Sequence, residues 1–215
     1  MKNSVSPHQY SRAVGKLTIY GPKNEEAMGS GLVVTKKGKS YLITAAHNLS
    51  GINPDGSTKA FPPIKIKIET YQESVEISLL ESGADPSDHD SRTFKVNQLL
   101  DIAILPLAQT MEGLDEGYIN EATHWMRECQ IGEDCFVIGF PCGITTNTSN
   151  GILPIWKSAT IASEPEYTKE YLLIDTWGEQ GLSGSPVFLK NREREERQGG
   201  RRKLSVSLRR PSSRT

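Results

Sequence analysis

The stretch QGLSGSPVF, residues 180–188, places a serine among glycines and directly before an apolar run. Glycines near Ser183 allow backbone dihedral angles that other residues avoid, and they allow close approach to another group. A nucleophilic serine needs such a turn beside a rigid element, whereas a turn that only connects two strands has the same composition. The two interpretations differ in the partners they require, because a serine hydroxyl reacts only beside a base that is itself held in place.

Short apolar runs bounded by turn residues recur throughout the sequence. Many contain β-branched residues, and several alternate apolar with polar positions, which is the pattern of half-buried strands. The run IKIKI, residues 64–68, predicts one isoleucine face and one lysine face. Helical periodicity is weak and is best developed at residues 121–129, while the polar stretch 81–92 predicts a long surface loop. The whole pattern predicts an all-β barrel or sandwich.

The length of 215 residues is enough for one large or two small domains, and 36% hydrophobic with 24% charged residues is typical of a soluble globular protein. No run of about 18 apolar residues occurs, so no membrane span is expected. The segment 1–16 lacks the apolar core of a secretory signal, and three cysteines are too few for a disulfide framework. These features predict a cytoplasmic location.

Charge is divided unevenly along the chain. Residues 190–215 contain ten Lys and Arg against three Asp and Glu, so an acidic body of net charge −8 precedes a basic tail of +7. The tail has no aromatic residue to stack on bases, and nucleic acid is therefore not an expected partner. Because its charged run can bury little apolar surface, the tail is predicted to be poorly ordered.

Of the four histidines, His47 has the sequence context of a general base. It follows the apolar run YLITAA, residues 41–46, where a strand end beside small alanines leaves room for a neighbouring group. His8, His89 and His124 lie in the terminal segment, the polar loop and the short amphipathic segment, respectively. A surface histidine that makes a single hydrogen bond is the alternative interpretation of His47.

A carboxylate that orients the base should be buried. Asp101 is the candidate, because it interrupts the apolar run LLDIAIL, residues 99–105. An unpaired carboxylate in a buried run would cost several kcal/mol, so Asp101 needs a donor, and a histidine suits that need. Asp175 is the competing candidate, although its position eight residues before Ser183 fits better with shaping the serine loop.

The order of these residues along the chain separates the known arrangements of serine hydrolases. All four histidines precede Ser183, which excludes the order Ser, acid, His. No aspartate precedes His47, which excludes the order Asp, His, Ser. The order His, Asp, Ser remains, and it is met by His47, Asp101 and Ser183.

Three segments in this order resemble the trypsin-like (chymotrypsin-fold) serine peptidases, and most of all their bacterial domains. TAAHN (44–48), DIAIL (101–105) and GLSGSP (181–186) resemble the family's histidine, aspartate and serine elements, respectively. GSGLVV (29–34) resembles the strand that precedes the histidine. The resemblance runs from about residue 13 to residue 189.

The resemblance implies an all-β fold of two packed six-stranded antiparallel barrels with a cleft between them. The peptidase domain would span residues 13–189, with an N-terminal extension at 1–12 and the basic tail at 190–215. The implied function is a serine endopeptidase that hydrolyses peptide bonds in peptide or protein substrates. No cofactor is implied.

The resemblance also implies the role of each site residue. Ser183 would attack the peptide carbonyl, His47 would take and return the proton, and Asp101 would stabilise the imidazolium. The backbone N–H groups of Gly181 and Ser183 would form the oxyanion hole.

The sequence departs from the family at several positions. Leu182 stands where secreted digestive members carry an aspartate that pairs with a new N-terminus, so SRAVG (11–15) is interpreted as the first strand and not as an activation site. Trp177 stands at the pocket base, which does not support a preference for Arg or Lys. After Ser183, only LSVSL (204–208) is available to replace the strand that walls the specificity pocket, and this predicts an incomplete second barrel.

Two other functions are compatible with parts of the sequence. If His47, Asp101 and Ser183 are present but the specificity pocket is incomplete, the domain would be catalytically impaired and would act as a binding module. His124, Cys129, Cys135 and Cys142 would form a metal site, but their spacings of five, six and seven residues do not match a zinc pattern. Core cysteines are the simpler interpretation, and no metal is predicted.

Overall fold

The computed structural model describes residues 6–81, 93–115, 129–164, 172–190 and 204–206. For residues 204–206 only the backbone is described. Within these ranges the helical elements are short: α1 (Gln9–Ala13), α2 (Ala46–Ser50) and one 3-10 turn at Pro141–Gly143. None of the helices in these ranges is both long and apolar enough to span a membrane.

The first sheet contains eight strands in the described part of the chain. They are β1 (Val14–Tyr20), β2 (Glu26–Lys36), β3 (Lys39–Ala45), β4 (Lys65–Glu69), β5 (Ser74–Ser78), β6 (Lys95–Asn97), β7 (Ile102–Pro106) and β8 (Leu114–Asp115). Seven of them pair in the antiparallel order β5-β4-β1-β2-β3-β7-β6, and β8 pairs with β2 in parallel.

The remaining strands of the described residues are β9 (Asp134–Gly139), β10 (Thr146–Thr148), β11 (Gly151–Leu153), β12 (Ile155–Ile161), β13 (Ile174–Asp175), β14 (Val187–Lys190) and β15 (Leu204–Val206). Five of them form the second, antiparallel sheet in the order β13-β12-β9-β14-β15, and β10 and β11 form a separate hairpin. Both ends of this sheet are open within the residues described. The prediction of an all-β, two-barrel architecture with an incompletely closed second barrel is thereby confirmed.

Three hydrophobic clusters account for the packing. One fills the first sheet around Leu17, Leu42 and Leu105, and another lies in the second sheet around Cys135 and Ile161. The third combines residues of α1 and of both sheets: Tyr10, Ala13, Val14, Leu32, Val34, Leu114, Ile138, Phe140 and Phe188. The two sheets therefore share one apolar interface. Burial of apolar surface stabilises this contact.

The alternation of IKIKI is found as predicted, since Ile66 and Ile68 of β4 are fully buried and the neighbouring Lys65 and Lys67 are partly exposed. Most of the segments 81–92 and 121–129, predicted as a loop and a helix, lie outside the described residues. The same holds for the basic tail, except that the backbone of β15 pairs with β14. The prediction that the tail is poorly ordered therefore remains a prediction.

The interpretation of residues 11–15 as strand is wrong for residues 11–13. Residues 9–13 form α1, and the strand begins at Val14, which pairs with Leu32. The helix is favoured because it buries Tyr10 and Ala13 in the apolar cluster that contains residues of both sheets. The indole N–H of Trp156 donates to Ser11 Oγ at 2.8 Å and holds the helix on the second sheet.

Tyr10→Ala should destabilise the protein by about 3–5 kcal/mol, because a large aromatic ring is removed from a packed interface. The Tyr10 side chain is fully buried, and its ring centroid lies 4.3 Å from that of Phe188. Urea denaturation measures the loss. The matched control is Tyr20→Ala, at a partly exposed tyrosine, which should cost much less. Equal losses for the two variants would contradict the importance of the α1 contact.

Candidate active site

His47 lies where the first sheet gives way to α2. Strand β3 ends at Ala45, and α2 makes a single turn before Gly51 ends it with a φ of 73°, a left-handed conformation that glycine adopts without strain. This turn carries His47 out of the sheet, and its side chain remains only 16% exposed.

Asp101 immediately precedes β7, which pairs with β3 so that Ile102 lies opposite Ala45. This register brings Asp101 beside α2, and the Ala46 N–H donates to the Asp101 carbonyl at 3.0 Å. Asp101 has a φ of 49°, in the left-handed region, where Asp and Asn are among the non-glycine residues found most often.

Both oxygens of the Asp101 carboxylate contact His47. The His47 backbone N–H donates to Oδ1 at 3.0 Å, and His47 Nδ1 lies 2.7 Å from Oδ2. Burial alone would raise the pKa of Asp101, but these two hydrogen bonds and the electrostatic attraction of His47 and Lys59 lower it below its ordinary value. The carboxylate is therefore ionised at neutral pH and can only accept, so the hydrogen bond between Nδ1 and Oδ2 is donated by the His47 ring.

Ser183 comes from the second half of the chain, in the turn that leads to β14. Its hydroxyl oxygen lies within hydrogen-bond reach of His47 Nε2, on the side of the ring opposite Asp101. The Ser183 carbonyl accepts from the Ser30 N–H at 2.8 Å and from Asn48 Nδ2 at 2.9 Å. The serine turn is thus attached to the first sheet by its backbone.

Ser30, in β2, binds the serine turn through its side chain as well. Its hydroxyl donates to the Gly181 carbonyl at 2.7 Å and accepts from the Phe140 N–H at 3.0 Å. Its carbonyl accepts from the Thr44 hydroxyl at 2.7 Å. Ser30 is fully buried, so these bonds lie in a region of low dielectric where each polar group needs its partner.

Two glycines make this docking possible. Gly181 and Gly184 have φ values of 91° and 84°, a conformation that residues with a side chain rarely adopt. A Cβ atom on Gly184 would overlap the Thr44 hydroxyl and the Ser30 carbonyl. The N–H groups of Gly181 and Ser183 donate to no acceptor in the described part of the chain, so both are free to bind a ligand oxygen.

Other residues singled out in the sequence lie elsewhere. Asp175 is exposed in β13, opposite Thr160 of the second sheet, and it is not part of the His47 cluster. Trp177 is 84% exposed, and its carbonyl accepts from Lys157 Nζ at 2.6 Å.

All three cysteines are free thiols. Burial raises the pKa of Cys135 to about 11, so this thiol is protonated and packs as a core residue. His124 lies outside the described residues, and within them no three His, Cys, Asp or Glu side chains are grouped as metal ligands would be.

Sequence reasoning missed the residues that hold the site together: Ser30, Thr44, Asn48 and Lys59. Each of the first three is polar but buried to more than nine-tenths. The available signal is that Ser30 borders an apolar run and that Thr44 interrupts one, at positions where strands are predicted. The bonds of Ser30 and Asn48 to the serine turn join residues more than 130 positions apart and could not be identified from the sequence.

Gly184→Ala should destabilise the protein by about 2–4 kcal/mol, because the positive φ and the overlap with the first sheet are both unfavourable. Gly178→Ala is the matched control, since no atom lies within 4 Å of its Cβ position. Thermal and urea unfolding measure both changes. A loss for Gly184→Ala as small as that of the control would show that the turn does not dock as described.

The lowered pKa of Asp101 predicts a pH dependence of stability. A carboxylate whose pKa is lowered by folding stabilises the fold above its ordinary value of 3.8, and this contribution is lost as the pH falls below 3.8. The difference in Tm between the wild type and Asp101→Asn should therefore be largest near neutral pH and should shrink toward pH 3. The exposed Asp175→Asn is the control, and an unchanged difference across this range for Asp101→Asn would contradict the prediction.

The description "Trypsin-like peptidase domain" belongs to the family model that matches residues 29–194 of this chain. No curated protein matches the sequence at a significant level. Among solved structures, the chain resembles a serine endoprotease from Yersinia pestis, with a TM-score of 0.51 and 17% identity over 94% of this chain and 63% of that one. It also resembles the thermostable serine protease AL20 from an extremophilic microorganism, with a TM-score of 0.48 and 18% identity over 86% of this chain and 81% of that one.

At these identities the structural likeness to the Yersinia pestis protein concerns the fold alone. The family match is of a different kind, because it covers most of the sequence and includes the segments that carry His47, Asp101 and Ser183. On that basis the chain belongs to the trypsin-like peptidase domain family.

Proposed function

We propose that this domain is a serine endopeptidase that hydrolyses peptide bonds with His47, Asp101 and Ser183. The supporting observation is the continuous hydrogen-bonded series from the Asp101 carboxylate through the His47 ring to the Ser183 hydroxyl. Its members are 54 and 136 residues apart in sequence, so only the complete fold brings them together. Each has a separate task in peptide hydrolysis.

Ser183 is the nucleophile in this proposal. Its oxygen forms a bond to the carbonyl carbon of the substrate while its proton passes to His47 Nε2. The protonated ring then gives that proton to the leaving amine, the C–N bond breaks, and an acyl group remains on Ser183. In the second half of the reaction, His47 takes a proton from water, and the water oxygen bonds to the acyl carbon. The bond between that carbon and the Ser183 oxygen then breaks, and His47 returns the proton to Ser183.

Asp101 keeps the His47 ring in the required state. With Nδ1 protonated and bound to the carboxylate, Nε2 is left as the acceptor that faces Ser183. The ionised carboxylate also stabilises the imidazolium that forms during the reaction. The second carboxylate oxygen accepts from the His47 backbone N–H and so fixes the carboxylate relative to the ring.

The Gly181 and Ser183 N–H groups serve as the oxyanion hole. Their freedom from internal acceptors in the described residues supports this assignment, since the donors must be available to the negative oxygen of the tetrahedral intermediate. Such a donor typically lowers the barrier by about 2.7–4 kcal/mol. The positive φ of Gly181 sets the direction of the peptide groups around it, while the Gly181 carbonyl is held by Ser30.

The substrate in this proposal is an extended peptide or protein segment. Strand β15 is the last strand of the second sheet in the described part of the chain, and it runs along β14, which follows Ser183. A strand at an open sheet edge binds an extended peptide by backbone hydrogen bonds. The edge at β15 is therefore the proposed place for the substrate backbone.

A fluorophosphonate probe tests the proposal, because it reacts only with an activated serine and needs little of the specificity pocket. The wild type should be labelled at Ser183, and Ser183→Ala should not be labelled. His47→Ala and Asp101→Asn should slow labelling by a factor on the order of 10³ or more, because the three residues act as a unit. Intact mass and peptide mapping identify the labelled residue.

Ser185→Ala is the matched control, since Ser185 lies in the same turn and its hydroxyl has no hydrogen-bond partner in the described residues. This variant should be labelled at the wild-type rate. Unlabelled wild type, or labelling that survives Ser183→Ala, would refute the proposed nucleophile. Labelling of Ser183 without cleavage of any member of a peptide library would instead indicate a catalytically impaired binding module.

A further inference from the structure

The Asn48 side chain connects the helix that carries His47 with the turn that carries Ser183. Asn48 is fully buried and follows His47 directly in α2. Its Nδ2 donates both to the Ser183 carbonyl at 2.9 Å and to the Thr44 hydroxyl at 3.1 Å. The amide lies against Gly29, where a Cβ atom would come within 2.7 Å of Nδ2. Asn48 therefore has little room to move and helps to set the distance between base and nucleophile.

The other end of the Asn48 amide is held by a lysine. Lys59, in the loop after α2, donates from Nζ to Asn48 Oδ1 at 3.3 Å, and the Lys59 N–H donates to the Gly51 carbonyl at 2.7 Å. An ammonium group can only donate and a carbonyl can only accept. The amide therefore has one favourable orientation, with Oδ1 toward Lys59 and Nδ2 toward Ser183.

Lys59 also acts on the acid of the site. Burial lowers the pKa of Lys59, and the negative charge of Asp101 opposes this effect by raising it. The positive charge of Lys59 in turn helps to lower the pKa of Asp101. Among the described residues, the charge that acts on Lys59 is that of Asp101, and the hydrogen bonds of Lys59 join it to the Asn48 amide and to the Gly51 carbonyl.

We propose that Lys59 is a positioning residue of the active site. It acts through the Asn48 amide on the position of Ser183 and through its charge on the ionised Asp101, without touching the reacting atoms. This inference rests on the proposed peptidase function. A lysine that was merely packed or solvated would contribute to stability but would have no selective effect on the reactivity of Ser183.

The test compares Lys59→Met with Lys59→Arg in the rate of fluorophosphonate labelling. The methionine keeps most of the length of the side chain but removes both the charge and the donor, whereas arginine keeps both. Lys65→Met is the matched control for the loss of one positive charge, since Lys65 pairs with Glu76 on the surface of β4. Labelling at several probe concentrations separates the limiting rate from the apparent binding constant.

Lys59→Met should lower the limiting labelling rate about tenfold and leave the apparent binding constant unchanged, because a buried Asn48 Oδ1 loses its donor and the turn loses its fixed position. Lys59→Arg should restore most of the rate, and Lys65→Met should match the wild type. A Lys59→Met rate within twofold of the wild type, or equal losses in Lys59→Met and Lys59→Arg, would overturn the proposal.

A second measurement does not depend on labelling. NMR of ¹³C-methylated lysines follows the titration of the Lys59 amine, which is identified by its absence from Lys59→Arg. In Asp101→Asn this amine should titrate at lower pH than in the wild type, because the charge that favours its protonated form is gone. Identical titrations would overturn the electrostatic effect of Asp101 on Lys59. If the probe does not label Ser183 in the wild type but the Lys59 titration shifts as expected in Asp101→Asn, the proposed function is refuted, whereas the effect of Asp101 on Lys59 stands.

Discussion

The hydrogen bonds of Ser30 hold the two halves of the molecule in the register that the site needs. This buried residue of the first sheet binds the carbonyls of Gly181 and Ser183, and its hydroxyl also receives the Phe140 N–H. An apolar interface alone would tolerate small shifts of one sheet on the other, because hydrophobic contact has no preferred direction. Buried hydrogen bonds do not tolerate such shifts, since each displaced donor or acceptor would be left without a partner.

The same constraint explains the glycines in the serine turn. A side chain at position 184 would meet the backbone of β2 and the hydroxyl of Thr44, so the turn could not come close enough for Ser30 to bind it. The turn must also present two N–H groups outward while its carbonyls face inward. A backbone with positive φ at Gly181 and Gly184 meets both requirements, and few other residues adopt it without strain.

Local sequence patterns predict the strand at IKIKI and single out His47, Asp101 and Ser183, because the segment around each of them is only a few residues long. For Asp101, the expectation of a wholly buried run is not met. Its run LLDIAIL is not buried throughout, since Leu99 is 77% exposed, and the pairing with His47 makes Asp101 distinctive. The contacts of Ser30 join residues 151 positions apart, and helix α1 has one turn. Neither leaves a periodic signal that could be predicted.

The long separation between the site residues has a consequence for how the chain is made. A ribosome adds about 5–20 residues each second, so Ser183 follows His47 and Asp101 by several seconds. His47, Asp101 and the residues of the first sheet that bind the serine turn all precede that turn in the sequence, so they are synthesised before it. Under the proposed function, Ser183 has no base beside it until that turn docks, and until then its hydroxyl is no more reactive than that of any other serine. The reactivity of Ser183 would therefore depend on the completed tertiary structure.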